Sequence, residues 1–149
     1  MADFISFDEG ENYVLDNDIV GATFYFLLSS RSCPADINSP VAGEHGGGDT
    51  LAGGVGEVTY WTGGARQNQI VPAPAAGVIA FAMESWDTGA NTNGPATVKS
   101  VVMVTTADNL GKAIAAWNLA SGGTNRPMNG ANYVIQFTPN YFLKNIGET

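Results

Sequence analysis

The sequence predicts a mainly β protein: a single-domain β-sandwich or jelly-roll-like fold with an N-terminal arm and at most one short helix. Seven or so short apolar runs, rich in aromatic and β-branched residues, are separated by Gly, Pro and Asn, as in the strands and turns of such folds. No amphipathic helices alternate with these runs, although a parallel α/β fold would require them.

The chain is predicted to start with an acidic arm and one short helix. Residues 1–11 are interpreted as the arm. Residues 12–20 are predicted to be the helix, because Asn12 suits the N-cap and Gly21 stands where a C-terminal glycine belongs. Everything from residue 12 to residue 149 is assigned to one β-sandwich domain.

Residues 22–29 (ATFYFLLS) are the clearest strand. The run lacks polar alternation, which predicts a strand that is buried on both faces. Residues 30–54 are predicted to be a long loop, because prolines and a run of glycines interrupt any regular element. Loops of this length are usually functional, so contacts are expected there first.

The later strands are shorter and are separated by turns. Residues 65–71 are predicted to continue the strand at 57–61 or to pair with it, and to stop at Pro72. Residues 112–119 (KAIAAWNL) are ambiguous, because their alanines favour a helix; their length and the flanking glycines favour a strand, which we predict. The predicted strands are residues 57–61, 65–71, 78–86, 97–105, 112–119, 133–138 and 141–144.

Composition favours contacts over chemistry. A chain of 149 residues is most simply one domain and can bury a core without crosslinks. Only 13% of the residues are charged and 19 are glycine, so much of the surface is expected to be small and uncharged. Such a surface is easily desolvated, which suits packing against neighbours in an assembly. The same composition also suits a loop-rich monomer.

The net charge of −8 is concentrated near the N-terminus. No Lys or Arg occurs in the first 18 residues, which argues against binding to nucleic acid or to an anionic membrane surface. The acidic segment either docks on a basic partner or keeps a tail in solution. Its acidic residues are Asp3, Asp8, Glu9, Glu11, Asp16 and Asp18.

Targeting features point to synthesis in the cytoplasm and folding in a reducing compartment. The single cysteine, Cys33, cannot form an internal disulfide. The first residues do not resemble a signal peptide, and no apolar run reaches the length of a membrane span.

The one histidine, His45, lies in the glycine-rich segment at residues 43–49 (GEHGGGD). A P-loop would need a Lys followed by Ser or Thr at the start of a helix, and a zinc site would need three or four close ligands. Neither pattern is present, and no Gly-x-Ser-x-Gly motif accompanies the histidine. The segment is therefore interpreted as a flexible or contact loop, and no metal, cofactor or catalytic residue is predicted.

A pair of carboxylates for glycoside hydrolysis would have to come from three acidic residues, Glu57, Glu84 and Asp87. Two of them flank Trp86, and an aromatic beside acids also suits a saccharide contact. The simpler interpretation is a strand end with a half-buried Trp86 and acids in solvent. Arg66 is expected either to pair with a buried acid or carbonyl or to anchor an interface.

The order of these elements resembles a family of small tailed-bacteriophage virion proteins, usually called tail fibre or minor structural proteins. The resemblance covers most of residues 12–144, with one departure: Gly64 stands where the family usually has an aromatic residue. The matching motifs are the helix at 14–20, the strand at 22–29, Gly56-Glu57-Val58, Ala65-Arg66, Trp86, the strand-turn-strand unit around Asp108-Asn109-Leu110-Gly111, and Phe137-Thr138-Pro139.

The resemblance implies a structural component of the particle without catalytic residues. We expect a capsid decoration or cement protein on the exterior of the virion, which acts as a homo-oligomer in contact with major capsid or tail proteins. The alternative is a tail fibre or a tail component that binds a receptor or a host-surface glycan. The residues expected to contact partners are Asp3, Asp8, Glu9, Glu11, Arg66 and Trp86.

Overall fold

Strands make up the regular structure of the residues that the computed structural model describes, which are 4–6, 14, 17–30, 57–58, 65–90, 96–108, 111–119, 126–128 and 132–142. The predicted fold class is confirmed, since the chain is mainly β, with several antiparallel sheets in a sandwich-like arrangement. The strands are β1 (Phe4–Ser6), β2 (Thr23–Ser29), β3 (Glu57–Val58), β4 (Gln67–Ile70), β5 (Val78–Ala80), β6 (Glu84–Asp87), β7 (Ala96–Val98), β8 (Ser100–Val104), β9 (Ala113–Asn118), β10 (Arg126–Met128), β11 (Val134–Phe137) and β12 (Asn140–Phe142).

A six-stranded antiparallel sheet, the main sheet, holds β2 near its centre. Its strand order is β1-β9-β8-β2-β3, and β4 also pairs with β2. β3 pairs with the end of β2 at Leu28 and Ser29, and β4 pairs with its beginning, from Thr23 to Phe26. β4 therefore continues the course of β3 along one edge of β2, as one of the two predictions for this segment stated.

Both faces of β2 are buried, as its sequence predicted. Phe24, Phe26 and Leu28 lie in the larger core cluster. Leu27 lies in a second cluster on the opposite face, with Val102 of β8. Successive side chains of a strand point to opposite faces, so β2 contributes to two apolar layers.

The second layer of the sandwich is a ribbon formed by residues 78–87 and 134–142. β5 pairs with β12 and β6 with β11, both antiparallel. The rings of Phe26 and Phe81 meet edge to face with centroids 5.1 Å apart, and those of Trp117 and Phe137 lie 6.0 Å apart. These aromatic contacts join the ribbon to the main sheet.

The segment predicted as one strand at residues 78–86 is interrupted at residues 81–83. Phe81 N still donates to Pro139 O, but Ala82 N donates to the side chain of Gln69 instead of to the facing strand. A tertiary contact therefore divides the run into β5 and β6.

The segment predicted as one strand at residues 97–105 is divided at Lys99. β7 pairs with β10, whereas β8 pairs with β2 and β9. Lys99 N donates to Ser29 O and Lys99 O accepts from Leu119 N, so the backbone changes partners at this residue.

Residues 112–119 contain strand β9, which confirms the prediction of a strand for this segment, although its alanines favour a helix. β9 and β8 form a hairpin whose connection includes Gly111. A Cβ atom at Gly111 would collide with the hydroxyl groups of Thr105 and Thr106, so the close return of the chain requires glycine there.

The helix predicted at residues 12–20 does not extend through residues 17–20, which form a bend and a turn. Ala22 N donates to Ile19 O, and Gly21 has φ 85°, as the third residue of a type II turn does. Gly21 therefore takes the predicted left-handed conformation, but in a β-turn.

Part of the predicted arm belongs to the main sheet. Phe4–Ser6 pairs with β9, with Phe4 opposite Trp117. The acidic residues Asp3, Asp8, Glu9 and Glu11 lie outside the described residues, as do positions 31–54 of the predicted long loop.

Candidate contact site

Arg66 donates hydrogen bonds to a carboxylate and to two backbone carbonyl groups. It directly precedes β4 and is 8% exposed. Its Nε donates to Glu57 Oε1 at 2.9 Å and its Nη2 donates to Glu57 Oε2 at 2.7 Å. Its Nη1 donates to the carbonyl oxygens of Thr106, at 3.1 Å, and Asp108.

These contacts tie three parts of the main sheet together. Glu57 lies on β3, while Thr106 and Asp108 lie in the β8–β9 connection. The planar guanidinium matches the carboxylate with two parallel hydrogen bonds and still has donors left for the carbonyls. The structure thus agrees with the first of the two expectations for Arg66, pairing with an acid and with carbonyls, and leaves little of the side chain free for a partner.

A row of buried polar residues crosses the sheet beside this ion pair. Glu57 is opposite Ser29, Ser29 is opposite Ser100, and Ser100 is opposite Asn118. Ser29, Ser100 and Asn118 are each at most 1% exposed, and each takes part in further interactions. Buried polar groups need such partners, so the row fixes the register of β2, β8 and β9.

Gln69 of β4 connects the main sheet to the second layer. Its Nε2 donates to Ala82 O at 2.8 Å and its Oε1 accepts from Ala82 N at 2.8 Å, so the amide imitates a strand partner. The same Nε2 donates to Glu84 Oε1. Glu84 is buried, and this burial raises the pKa of its carboxyl, while the hydrogen bond from Gln69 partly lowers it.

The carboxylates considered for hydrolysis are not brought together. Burial alternates along β6, so Glu84 and Trp86 point into the core while Asp87 points to solvent. Asp87 Oδ1 accepts from Gly89 N at 2.7 Å, and Glu57 is paired with Arg66. Glu84 and Asp87, the two acids that flank Trp86, therefore do not face one another as the carboxyl groups of a glycoside hydrolase do.

Trp86 is fully buried, so the expectation that it contacts a partner needs correction. It lies opposite Ile135 in the larger core cluster. Its Nε1 is a buried side-chain donor with no hydrogen-bond partner in the described part of the chain. Trp117, by contrast, donates from Nε1 to Asn140 O at 2.9 Å.

The exposed apolar side chains lie mainly on strands or directly beside them. The most exposed is Ile70 of β4, at 67%. Met83 precedes β6 and is 56% exposed, and Val134 of β11 is 50% exposed. Val20 and Tyr133 are the other large apolar side chains exposed among the described residues. Sequence reasoning missed these positions, although the polar run before Ile70 (QNQI) already indicated a strand with a solvent face.

Within the described residues no three His, Cys, Asp or Glu side chains form a group that could hold a metal ion. The segment around His45 lies outside those residues. No helix in the described part of the chain is long and apolar enough to cross a membrane.

Comparison with protein-family models, with curated proteins and with solved structures gives no match for this chain.

Proposed function

We propose that this chain is a virion structural protein on the exterior of a tailed phage, and most specifically a capsid decoration or cement protein. It acts through contacts with copies of itself and with neighbouring capsid or tail proteins, and it catalyses no reaction. The motif resemblance from residue 12 to residue 144 supports the phage assignment.

The observation that carries the contact role is the exposure of large apolar side chains on regular strands or directly beside them. Ile70, Met83 and Val134 are each at least half exposed. An exposed apolar residue on a rigid strand keeps its geometry when a partner covers it, so association costs little conformational entropy. Many modest contacts of this kind suffice on a shell, because multivalency multiplies them.

The alternative, a saccharide-binding tail component, has less support from the described geometry. It relied on Trp86 as the stacking aromatic, and that ring lies inside the core. Decoration requires no exposed aromatic ring and is the interpretation we favour.

Quantitative mass spectrometry of purified particles, scaled to the major capsid protein, tests the proposal. We expect hundreds of copies per particle. A handful of copies would replace decoration by a tail position, and absence from the particle would refute a virion role.

The acidic N-terminus is the proposed tether to a basic partner. Deleting residues 1–18 would also delete β1, which pairs with β9, so a deletion cannot separate tethering from folding. A variant with Asp3→Asn, Asp8→Asn, Glu9→Gln and Glu11→Gln keeps β1 and removes four charges. We expect weaker incorporation into particles and an unchanged unfolding midpoint; undiminished incorporation would refute the tether.

A further inference from the structure

β4 forms part of an edge of the main sheet. In the described part of the chain it pairs with β2 alone, along Thr23 to Phe26. The backbone groups on its other side are therefore oriented away from the sheet. Natural proteins usually protect such an edge with lysine, proline, a bulge or a covering segment, because an open edge accepts another strand.

The sequence of this edge, Gln67-Asn68-Gln69-Ile70, carries none of those protective residues. Of the described charged residues, Arg66 directly precedes the strand and is paired with Glu57, and Glu84 is buried and accepts a hydrogen bond from Gln69. None of the four side chains of the strand itself carries a charge. Two copies can approach along this edge without direct repulsion between like charges.

The strand is held in a fixed position by its other face. Gln69 is anchored to both backbone groups of Ala82, as described above. Asn68 and Ile70 point to the opposite face, where both are exposed. The edge is thus rigid, uncharged and flanked by an apolar side chain.

We propose that two copies of this chain associate by antiparallel pairing of their β4 edges, centred on Gln69. Residues directly opposite one another in antiparallel strands point to the same face of the sheet. The two-fold axis of the pair must therefore pass beside a residue and not between two residues. Centring the pair on Gln69 places Ile70 of one copy opposite Asn68 of the other, twice. The two main sheets then join into one continuous sheet.

A second copy fits this edge better than an unrelated strand. The two-fold arrangement is self-complementary, since each exposed Ile70 covers the partner copy's Asn68 and no charge is buried. A four-residue strand offers few hydrogen bonds, so the association is modest in solution and gains from the many copies on a shell. The inference supplies a surface for the self-association in the proposed function, but the solution dimer is tested without particles.

Sedimentation velocity over a wide concentration range tests the dimer. We expect wild type to dimerise, Ile70→Lys to associate at least about tenfold more weakly, and Ile70→Thr, which keeps the β-branched shape, to fall between them. Gln136→Lys is the matched control, because it places the same charge on an exposed polar position of another strand, β11, and it should dimerise like wild type. A monomeric wild type, or equal weakening by Gln136→Lys, would overturn the proposal.

The register has its own test. In a Cys33→Ser background, the single variants Asn68→Cys and Ile70→Cys are mixed and oxidised. Opposite Cα atoms lie about 4.5–5.5 Å apart in antiparallel pairs, within the range that a disulfide spans, whereas like positions lie farther apart. We expect the mixed disulfide to predominate. Equal amounts of mixed and like disulfides would refute pairing centred on Gln69. Because neither experiment uses phage particles, failure here and failure of the virion assignment are distinguishable.

Discussion

Arg66 and Glu57 are joined by two parallel hydrogen bonds, although they belong to segments that pair with opposite ends of β2. The remaining guanidinium donors hold the carbonyls of Thr106 and Asp108. One side chain therefore fixes the edge of the sheet and the β8–β9 connection relative to each other.

Replacing Arg66 should destabilise the protein according to how many of these bonds remain. Arg66→Met leaves the carbonyls and the carboxylate without their donor, and we expect a loss of about 3 kcal/mol. Arg66→Lys keeps the charge but not the two-pronged geometry, so about 1–2 kcal/mol should be lost. Urea unfolding measures both changes. Asp18→Asn, on an exposed residue, is the control and should change stability by less than about 0.5 kcal/mol. A loss no larger for Arg66→Met than for this control would contradict the assigned contacts.

The two core tryptophans should respond differently to the same replacement. Trp117→Phe leaves Asn140 O without its donor, whereas Trp86→Phe removes a buried donor that has no protein partner in the described part. Both variants lose similar apolar area, so Trp117→Phe should cost at least about 1 kcal/mol more than Trp86→Phe. Chemical denaturation of the two variants gives the comparison. Equal losses would mean that the indole of Trp86 is hydrogen-bonded, through a buried water for example.

Stability should depend on the ionisation of Glu84. Burial raises the pKa of this carboxyl in the folded state, so the folded protein binds the proton more tightly than the unfolded chain does. This contribution to stability is fully present below the ordinary pKa of the unfolded state and is lost as the pH rises through the raised pKa.

Glu84→Gln keeps an acceptor for Gln69 and removes the titration. We expect a higher unfolding midpoint than wild type at pH 7 and a difference that shrinks as the pH falls towards 4. Asp87→Asn, on the exposed face of the same strand, should show a much smaller effect. If the Glu84→Gln variant were less stable than wild type at every pH, the inference that burial disfavours the charged form of Glu84 would be wrong.

The turn between β4 and β5 offers a stabilising substitution. Ala75 and Val78 exchange two backbone hydrogen bonds, and the residues between them, Ala76 and Gly77, have φ 51° and 79°. Positive φ at both positions defines a type I′ turn, for which Asn-Gly is preferred over Ala-Gly. The left-handed conformation costs a residue such as alanine roughly 1–2 kcal/mol, and asparagine tolerates it better.

We therefore expect Ala76→Asn to raise stability by about 1 kcal/mol and Ala76→Val to lower it. Thermal and urea unfolding measure these changes. Ala75→Asn, one position earlier, should bring no gain. Stabilisation of equal size at both positions would show that the turn geometry is not its cause.

Local patterns in the sequence predicted most strands, because burial on both faces of β2 and the flanking glycines of β9 leave a direct signature. They did not predict the breaks at residues 81–83 and at Lys99. Those breaks depend on partners distant in sequence, namely the Gln69 amide at the first and Ser29 at the second. No periodicity in a single segment encodes such contacts.

The candidate site was predicted less well, for a related reason. Trp86 was expected to contact a partner, yet it shares a strand face with Glu84, and both are buried. Gln69 of β4 lies opposite Phe24 and points to the same inner face, so the next residue, Ile70, points to the outer face. This register is a property of the assembled fold.

The pairing of distant segments also determines how this chain must fold. β8 and β9 form a local hairpin, which can close early, whereas β1 must find β9 across most of the chain and β12 must find β5 across about 60 residues. Such non-local pairings close large loops and slow the folding of β proteins. During synthesis, Phe81 and Trp86 cannot be covered until residues 134–142 have left the ribosome. Cells that produce many copies at once must therefore shield these apolar strands for that interval.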